Sequence, residues 1–205
     1  MRIFLLGATG KTGAQLIDLG LARGHSITAF VRSPAKIIRK DAALTVVKGD
    51  PLDVDALAAA LPRHDVVLSA LGMRPPGAFR PHSLVHDGAA SVVAAMTRAG
   101  VERIVFVSAA VLFPEKGVVF AFFRWFLKHI ARDLAAAENI VRATSLAWTI
   151  VRPPRLVDAT TETYRVAVDA LPPDAHAMSF RAVAAFMLDA AEQPIHLREL
   201  VGLAP

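Results

Sequence analysis

The chain has 205 residues, of which 54% are hydrophobic and 20% charged, so it can bury a sizeable core and is not intrinsically disordered. It contains no cysteine, which excludes disulfide scaffolds, thiol catalysis and cysteine-based zinc sites. The formal net charge is +5, but the 23 lysines and arginines are scattered along the sequence, so the charge favours an anionic cofactor and no nucleic acid.

No apolar run approaches the roughly 18 to 20 residues that a membrane-spanning helix needs. The first residues, one arginine and a short apolar run before Gly7, do not form a signal peptide. We therefore expect a cytoplasmic protein without an integral membrane segment. No linker, repeat or low-complexity stretch interrupts the sequence, which predicts a single domain over residues 1–205.

Short apolar runs alternate with longer amphipathic runs along the chain. The predicted strands are residues 2–6, 26–31, 44–48, 65–69, 104–108, 147–152 and 199–203. The predicted helices are residues 12–23, 33–39, 53–61, 89–99, 118–143 and 180–192. Apolar, β-branched strands that alternate with helices are typical of a doubly wound parallel sheet. The sequence therefore predicts an α/β fold, Rossmann-like, with six to seven strands.

Two stretches interrupt this alternation. Residues 72–86 contain three prolines, and we predict a loop beyond the carboxyl end of the fourth strand, where doubly wound folds bind ligands. Pro153 and Pro154 directly follow the sixth strand. Because neither can donate a hydrogen bond to a sheet, we expect that strand to end at Arg152.

Three glycines at a spacing of three lie between the first strand and the first helix. Gly7 permits a tight turn, Gly10 lets the backbone approach a pyrophosphate, and Gly13 lets the helix pack closely. The amino end of the helix then offers N–H groups to phosphates. Further side-chain donors can come from Thr9, Lys11 and Thr12. The stretch predicts a dinucleotide-binding loop, with an ordinary glycine-rich turn as the alternative.

The glycine spacing also bears on which nucleotide is bound. It is G-x-x-G-x-x-G rather than the usual G-x-G-x-x-G of dinucleotide folds. Residues 10–12, Gly-Lys-Thr, resemble the end of a P-loop, but the preceding glycine is three residues back instead of five. This spacing disfavours ATP.

The end of the second strand distinguishes NAD from NADP. NAD sites carry an acidic residue there, which binds the ribose 2′-hydroxyl. This chain has Arg32 and Ser33 instead, with Lys36 within reach, and an arginine can form paired hydrogen bonds with a 2′-phosphate. The sequence therefore favours NADP, with a solvated loop arginine as the alternative.

Seven motifs in order give the chain a family resemblance. It resembles the atypical short-chain dehydrogenases/reductases, both the NmrA-like NAD(P)H-binding proteins and the flavin reductase (biliverdin reductase B) type. The matching stretches are LGATGKTG (6–13), VRSP (31–34), VKGDPLD (47–53), DVVLSALG (65–72), VFVSAA (105–110), TSLAWTIVRPPRL (144–156) and MSFRAVAAFMLDAAE (178–192). The resemblance implies the fold and the cofactor more specifically than the substrate.

On the adenosine side, the resemblance implies contacts after the third and fourth strands. Asp50, Pro51 and Leu52 would lie beside the adenine, although Asp50 could equally be a turn-capping residue. The path of the ribose and pyrophosphate would be lined by Ser69, Ala70, Leu71 and Gly72.

On the nicotinamide side, the resemblance implies three further residues. Ser108, at the end of the fifth strand, would lie near the nicotinamide and orient the acceptor. Pro153 and Pro154 would border the nicotinamide pocket, with a simple strand stop as the alternative. These positions follow the carboxyl ends of neighbouring strands, where a parallel sheet forms its ligand site.

The chain lacks the proton-donating Tyr and Lys, arranged Y-x-x-x-K, of the wider family's carbonyl reducers. Its single tyrosine, Tyr164, follows the sixth strand, and positions 134–136 hold Leu-Ala-Ala where relatives often carry a lysine ahead of the residue matching Glu138. A flavin or quinone needs less from the protein, because solvent can supply the proton. The missing pair therefore indicates such an acceptor, or no catalysis.

Other candidate groups are weaker. The histidines that could act as acids are more simply explained as surface or capping residues: His82, His86 and His129. None has a convincing metal-ligand spacing, so we predict no metal. The aromatic stretch at residues 117–134 is compatible with a core helix, a substrate lid or pocket wall, a dimer face or a peripheral membrane contact.

The leading hypothesis from the sequence is an NADPH-dependent reductase, monomeric or homodimeric, that acts on a small, flat, conjugated acceptor. A non-catalytic NADP(H)-binding redox sensor of the NmrA-like type is the main alternative. An epimerase or lyase acting on a nucleotide sugar is a third, disfavoured because those reactions also depend on the tyrosine.

Overall fold

The computed structural model describes residues 1–72, 83–113 and 128–205. The strands in these ranges are β1 (Arg2–Leu6), β2 (Ser26–Val31), β3 (Leu44–Lys48), β4 (Val66–Ser69), β5 (Arg103–Val107), β6 (Ala147–Arg152), β7 (Arg155–Val157), β8 (Arg165–Val168), β9 (Ala177–Ser179) and β10 (Glu199–Ala204). The α-helices are α1 (Lys11–Ala22), α2 (Val54–Ala60), α3 (Leu84–Ala99), α4 (Lys128–Arg142) and α5 (Phe180–Glu192). Within the same ranges, no helix is long and apolar enough to cross a bilayer.

Eight strands form one sheet in the order β3-β2-β1-β4-β5-β6-β10-β8. Neighbouring strands run parallel, except that β8 pairs antiparallel with β10 at the edge. The predicted Rossmann-like α/β fold is therefore confirmed, with one more strand than expected. The strand order reverses between β1 and β4, so the carboxyl ends of these two strands open a crevice for ligands.

Apolar side chains cover both faces of the sheet, because successive residues of a strand point to opposite sides. On one face, α1 and α5 pack through residues such as Leu16 and Phe186. On the other, α2, α3 and α4 pack through residues such as Leu57, Val92 and Val141. This two-sided burial explains why the central strands are almost entirely apolar.

The helix boundaries agree with the prediction at α1, α2 and α5 and differ elsewhere. Asp53 caps α2 as expected, since its carboxylate accepts the N–H groups of Asp55 and Ala56 at 3.1 and 3.0 Å. The predicted helix over residues 33–39 is a single 3-10 turn, Pro34–Lys36, because Ile37 already has an extended backbone.

Helix α3 begins at Leu84, so residues 84–86 are helical and not part of the predicted loop. The physical reason is a cap from a distant helix. The carboxylate of Asp133, on α4, accepts the N–H groups of Val85 and His86 at 3.1 and 3.0 Å. The rest of the predicted loop, residues 73–82 with His82, lies outside the described residues, as do residues 114–127 of the aromatic stretch.

Three short strands were not predicted. β6 does end at Arg152, but the chain resumes after Pro154 as β7, which pairs with β9 in a separate two-stranded parallel sheet. β8 adds the antiparallel edge beside β10. Each has only three or four residues, too few to show a clear pattern of alternation.

Candidate functional site

A cleft of about 430 Å³ opens where the strand order reverses. Its walls come from the loop after β1, the end of β2, the loop after β3, the end of β4 and the start of α3. Nine residues predicted as cofactor contacts line it: Gly7, Thr9, Gly10, Arg32, Ser33, Pro51, Ala70, Leu71 and Gly72. Segments far apart in the sequence thus meet at one site.

Lys36, noted from the sequence as within reach of Arg32, also lines the cleft, and three further residues do so that sequence reasoning missed. Phe30 and Val31 are the last residues of β2. Their position at the carboxyl end of a central strand could have predicted that they line the cleft. Leu84 opens α3, whose start was predicted too late, so no signal pointed to it.

The glycine loop is shaped by the close approach of backbones. Gly7 has φ +77°, and a Cβ there would lie 2.2 Å from the carbonyl oxygen of Ala70. A Cβ on Gly13 would lie 2.2 Å from the carbonyl oxygen of Gly7. The N–H of Gly10 donates to the same Gly7 oxygen at 2.9 Å and closes the turn. The loop therefore needs glycine at positions 7 and 13 for its own fold.

Gly10 has a different role. Its backbone is extended, with φ −82° and ψ 170°, a conformation open to any residue. A Cβ there would meet only the Gly7 oxygen, at 3.2 Å. Gly10 also precedes α1 as its N-cap, and this position provides no side-chain cap for the first-turn amides. Glycine here leaves the amino end of α1 uncovered toward the cleft, as a bound phosphate requires.

Two cations lie at the far end of the cleft, after β2. Arg32 and Lys36 both line it. Within the described residues, neither side chain has an ion-pair or hydrogen-bond partner. Unpaired positive charge in a concave site attracts an anionic ligand. Among the described residues, no acidic side chain lines this end of the cleft.

The turn after β3 forms part of the cleft wall at the same end. The carboxylate of Asp50 accepts the N–H of Leu52 at 3.0 Å, and its carbonyl accepts the N–H of Asp53 at 3.0 Å. Asp50 is therefore a turn residue in this structure. The turn presents Pro51 to the cleft and leaves Leu52 41% exposed.

Two predicted phosphate ligands of α1 do not line the cleft. Thr12 is mostly buried in the first turn of the helix. Lys11 directs its ammonium to Asp158, which follows β7, and to the ring of Phe180. Their backbone N–H groups still belong to the uncapped first turn.

Ser69 ends β4 and Ser108 directly follows the neighbouring β5, and both are buried, with 1% and 6% exposure. Within the described residues, neither hydroxyl has a hydrogen-bond partner. A buried polar group without a partner costs about 1–3 kcal/mol, so each one calls for an explanation, such as a ligand or a water that satisfies it. Neither serine lines the cleft as it stands.

The two prolines lie at the end of β6 beside Ser108. The Ser108 N–H donates to the Val151 carbonyl at 2.7 Å, and the Ala110 N–H donates to the Pro153 carbonyl at 2.9 Å. These bonds extend the pairing of β5 and β6 past the strand ends. Pro153 is buried and Pro154 half-buried, and neither lines the cleft.

Titratable groups at the amino end of α3 form a local hydrogen-bonded cluster. Ser83 donates to the Asp87 carboxylate at 2.5 Å, and Nδ1 of His86 lies 3.0 Å from it. Hydrogen bonds from Ser83 and then His86 lower the pKa of Asp87. Across the described residues, no group of three or more histidines and carboxylates is arranged to bind a metal.

The cleft thus fits a dinucleotide in three respects. The backbone approaches closely at the glycines, the N-cap of α1 is a glycine without a side-chain cap, and Arg32 and Lys36 bring positive charge to the far end of the cleft.

Known proteins resemble the chain in sequence. The profile of a family described as NAD(P)H-binding matches residues 7–194. The chain is 30% identical over 162 residues to an uncharacterized chloroplastic protein of Arabidopsis thaliana, covering 74% of this chain and 58% of that one. It is 30% identical to the uncharacterized sugar epimerase YhfK of Bacillus subtilis, covering 75% and 71%. It is 35% identical to a 3-diazoavenalumate denitrifying reductase of Streptomyces sp, covering 57% and 40%.

Solved structures resemble it in fold. A Rossmann-fold NAD(P)-binding family protein from Shigella flexneri superposes with a TM-score of 0.79 at 25% identity, covering 98% of this chain and 92% of that one. A wide-type short-chain dehydrogenase/reductase from Veillonella parvula, solved with NADP, gives a TM-score of 0.78 at 22% identity, covering 100% and 94%. Both likenesses agree with the Rossmann-like fold described above. The chain therefore belongs to the NAD(P)H-binding family.

Proposed function

We propose that the protein is an NADPH-dependent reductase that acts on a flat, conjugated acceptor of the flavin or quinone kind. The observation that carries the cofactor choice is the pair of cleft-lining cations, Arg32 and Lys36, without partners among the described residues. A 2′-phosphate would satisfy both, and NADH would leave both unsatisfied. The Veillonella parvula protein, which shares this fold, was solved in complex with NADP, and this supports the choice.

On the cofactor side, the pyrophosphate would lie over the glycine loop, against the first-turn amides of α1. Gly7, Gly10 and Thr9 form that wall of the cleft. Pro51 and the exposed Leu52 would flank the adenine, and the residues after β4 would line the ribose and pyrophosphate. NADPH, when bound, supplies a hydride from its nicotinamide ring.

The proposed acceptor follows from which groups could supply the proton that its reduction requires. Tyr164 cannot donate a proton at the cleft, because its hydroxyl bonds to Asp189 on α5 and its ring packs on Phe186. The buried carboxylates of α4 are also occupied: Asp133 caps α3 and Glu138 pairs with Arg152. An acceptor that takes its proton from solvent suits a site with this arrangement, whereas a simple ketone does not.

Ser108 is the proposed acceptor-orienting residue. Its hydroxyl has no partner among the described residues, and its backbone is fixed to β6 through the Val151 carbonyl. Pro153 and Pro154 would border the same pocket.

The reductase from Streptomyces sp agrees with an oxidoreductase function. We place the protein in the cytoplasm, as a monomer or homodimer.

Calorimetric titration with NADPH and NADH tests the cofactor assignment. Arg32→Ala should weaken NADPH binding by at least about 1.5 kcal/mol, the scale of a charge-assisted hydrogen bond, and barely change NADH binding. Lys48→Ala is the matched control, because Lys48 is an exposed cation at the end of β3 that does not line the cleft. Equal losses for both cofactors would remove Arg32 from the 2′-phosphate site.

Turnover tests the acceptor assignment. NADPH oxidation should be measured with FMN, FAD and menadione, and Ser108→Ala should slow it without changing NADPH affinity. Unchanged turnover would remove Ser108 from the site. Tight NADPH binding without turnover of any acceptor would support the redox-sensor alternative instead.

A further inference from the structure

Lys11 holds a partner outside the cleft. It is the first residue of α1, directly after Gly10, and its Nζ forms an ion pair with Asp158. The same Nζ lies 5.3 Å from the ring centroid of Phe180, the first residue of α5. The Lys11 and Asp158 side chains remain 58% and 74% exposed, so an anion from solution can reach the pair. Exposed pairs of this kind are weak and readily exchanged.

Asp158 begins the connection between β7 and β8, residues 158–164, which is anchored independently further along its length. The carbonyl of Thr161 accepts a hydrogen bond from the Ser179 hydroxyl. Glu162 forms an ion pair with Arg181 at 2.7 Å. The connection therefore stays attached to α5 whether or not Lys11 holds Asp158.

We propose that Asp158 competes with the cofactor's pyrophosphate for the ammonium of Lys11 and so sets the cofactor affinity of the site. This rests on the proposed function, because it needs a nucleotide at the amino end of α1. The backbone of Lys11 is adjacent to Gly10, which lines the cleft, and its side chain is long and flexible. A pyrophosphate carries more negative charge than one carboxylate and takes Lys11 from Asp158 when it binds.

The competition predicts a specific pattern in a double-mutant cycle. NADPH affinity is measured by calorimetry for the wild type, Asp158→Asn, Lys11→Met and the double variant. Asp158→Asn should bind NADPH roughly two- to fivefold more tightly, the scale of an exposed ion pair. Lys11→Met should bind it more weakly. In the Lys11→Met background, Asp158→Asn should change nothing, because no ammonium is left to compete for.

Glu162→Gln is the matched control. It removes the same charge from the same connection but breaks a pair with Arg181 instead. Unchanged NADPH affinity in this variant supports competition at Lys11. Equal tightening by Asp158→Asn and Glu162→Gln would mean a general effect of negative charge and would overturn the proposal, as would tightening by Asp158→Asn in the Lys11→Met background.

The two proposals fail in distinguishable ways. If the wild type and Asp158→Asn bind NADPH equally tightly, the proposed competition is overturned and the reductase assignment stays intact. A wild type that binds no NADPH overturns the proposed function, and the competition with it.

Discussion

Arg152 and Glu138 form a two-pronged ion pair inside the protein. Nε of Arg152 donates to Oε1 of Glu138 at 2.9 Å, and Nη2 donates to Oε2 at 2.5 Å. The side chains are 10% and 2% exposed. Nη1 also donates to the Leu112 carbonyl at 3.3 Å, and the guanidinium lies 4.7 Å from the ring centroid of Phe113. The pair thus fastens α4 and residues 112–113 to the end of β6, beside Pro153.

Removing one member of this pair should destabilise the fold strongly. Glu138→Ala leaves a buried, uncompensated guanidinium, which costs about 3–5 kcal/mol. Urea unfolding followed by circular dichroism measures the loss. The double variant Glu138→Leu with Arg152→Met should recover most of it, because both charges are then absent.

The exposed ion pair between Arg98 and Asp55 is the control for the buried ion pair between Arg152 and Glu138. Its side chains are 59% and 91% exposed, so Asp55→Asn should cost no more than about 1 kcal/mol. A loss for Glu138→Ala as small as that for Asp55→Asn would show that the buried pair does not hold α4 in place.

Gly10 and Gly13 should respond differently to valine. Gly10→Val adds a side chain where the backbone conformation is ordinary, so the fold should survive while the side chain blocks the approach of the phosphates. Gly13→Val forces a Cβ against the Gly7 carbonyl and should unfold or strongly destabilise the loop. Thermal unfolding and NADPH titration together separate these effects. Retained NADPH binding in Gly10→Val would show that the loop is only a turn.

Gly49 should control the wall of the cleft through Phe30. A Cβ at Gly49 would lie 2.1 Å from Cζ of Phe30, and the Phe30 ring packs against Phe4 at a centroid distance of 5.6 Å. Gly49→Ala therefore displaces a ring that lines the cleft. We expect weaker NADPH binding and a stability loss of about 1–3 kcal/mol, typical of overpacking.

A compensating substitution tests that mechanism. Phe30→Leu makes room at the ring position, so Gly49→Ala combined with Phe30→Leu should be more stable than Gly49→Ala alone. Calorimetry and urea unfolding of the three variants measure both effects. Additive losses in the double variant would show that the two residues do not meet.

The sequence predicted the parts of the fold that depend on patterns among residues close together in the chain. The alternation of apolar runs located seven strands, β1 to β6 and β10, and the spacing of Gly7, Gly10 and Gly13 located the loop that lines the cleft. Arg32 was found because it follows a strand whose place in the sheet could be inferred.

Pairings between distant residues could not be predicted. Asp133 caps α3 from 47 or 48 positions away, and Lys11 meets Asp158 across 147 positions. No periodicity relates such residues, because only the packing of whole elements brings them together. The same limit hid the pair of Arg152 with Glu138, although each residue had been noted separately.

Tyr164 should resist ionisation at alkaline pH. Burial, followed by its hydrogen bond to Asp189, raises the pKa of Tyr164 well above its ordinary value of 10.0. The folded state then keeps the proton where the unfolded state loses it, so stability should fall as the pH rises above about 10. Because Tyr164 is the chain's only tyrosine, tyrosinate absorbance reports this group alone.

An alkaline titration of absorbance, run beside circular dichroism, should show tyrosinate appearing only as the protein unfolds. Tyr164→Phe should show no tyrosinate signal, and its stability should depend less on pH above about 10, because the group responsible is absent. Tyrosinate that forms at the ordinary pKa while the fold remains intact would contradict the burial of the hydroxyl against Asp189. Such a result would also make Tyr164 a candidate proton donor. The proposed acceptor takes its proton from solvent only because Asp189, on α5, holds the Tyr164 hydroxyl.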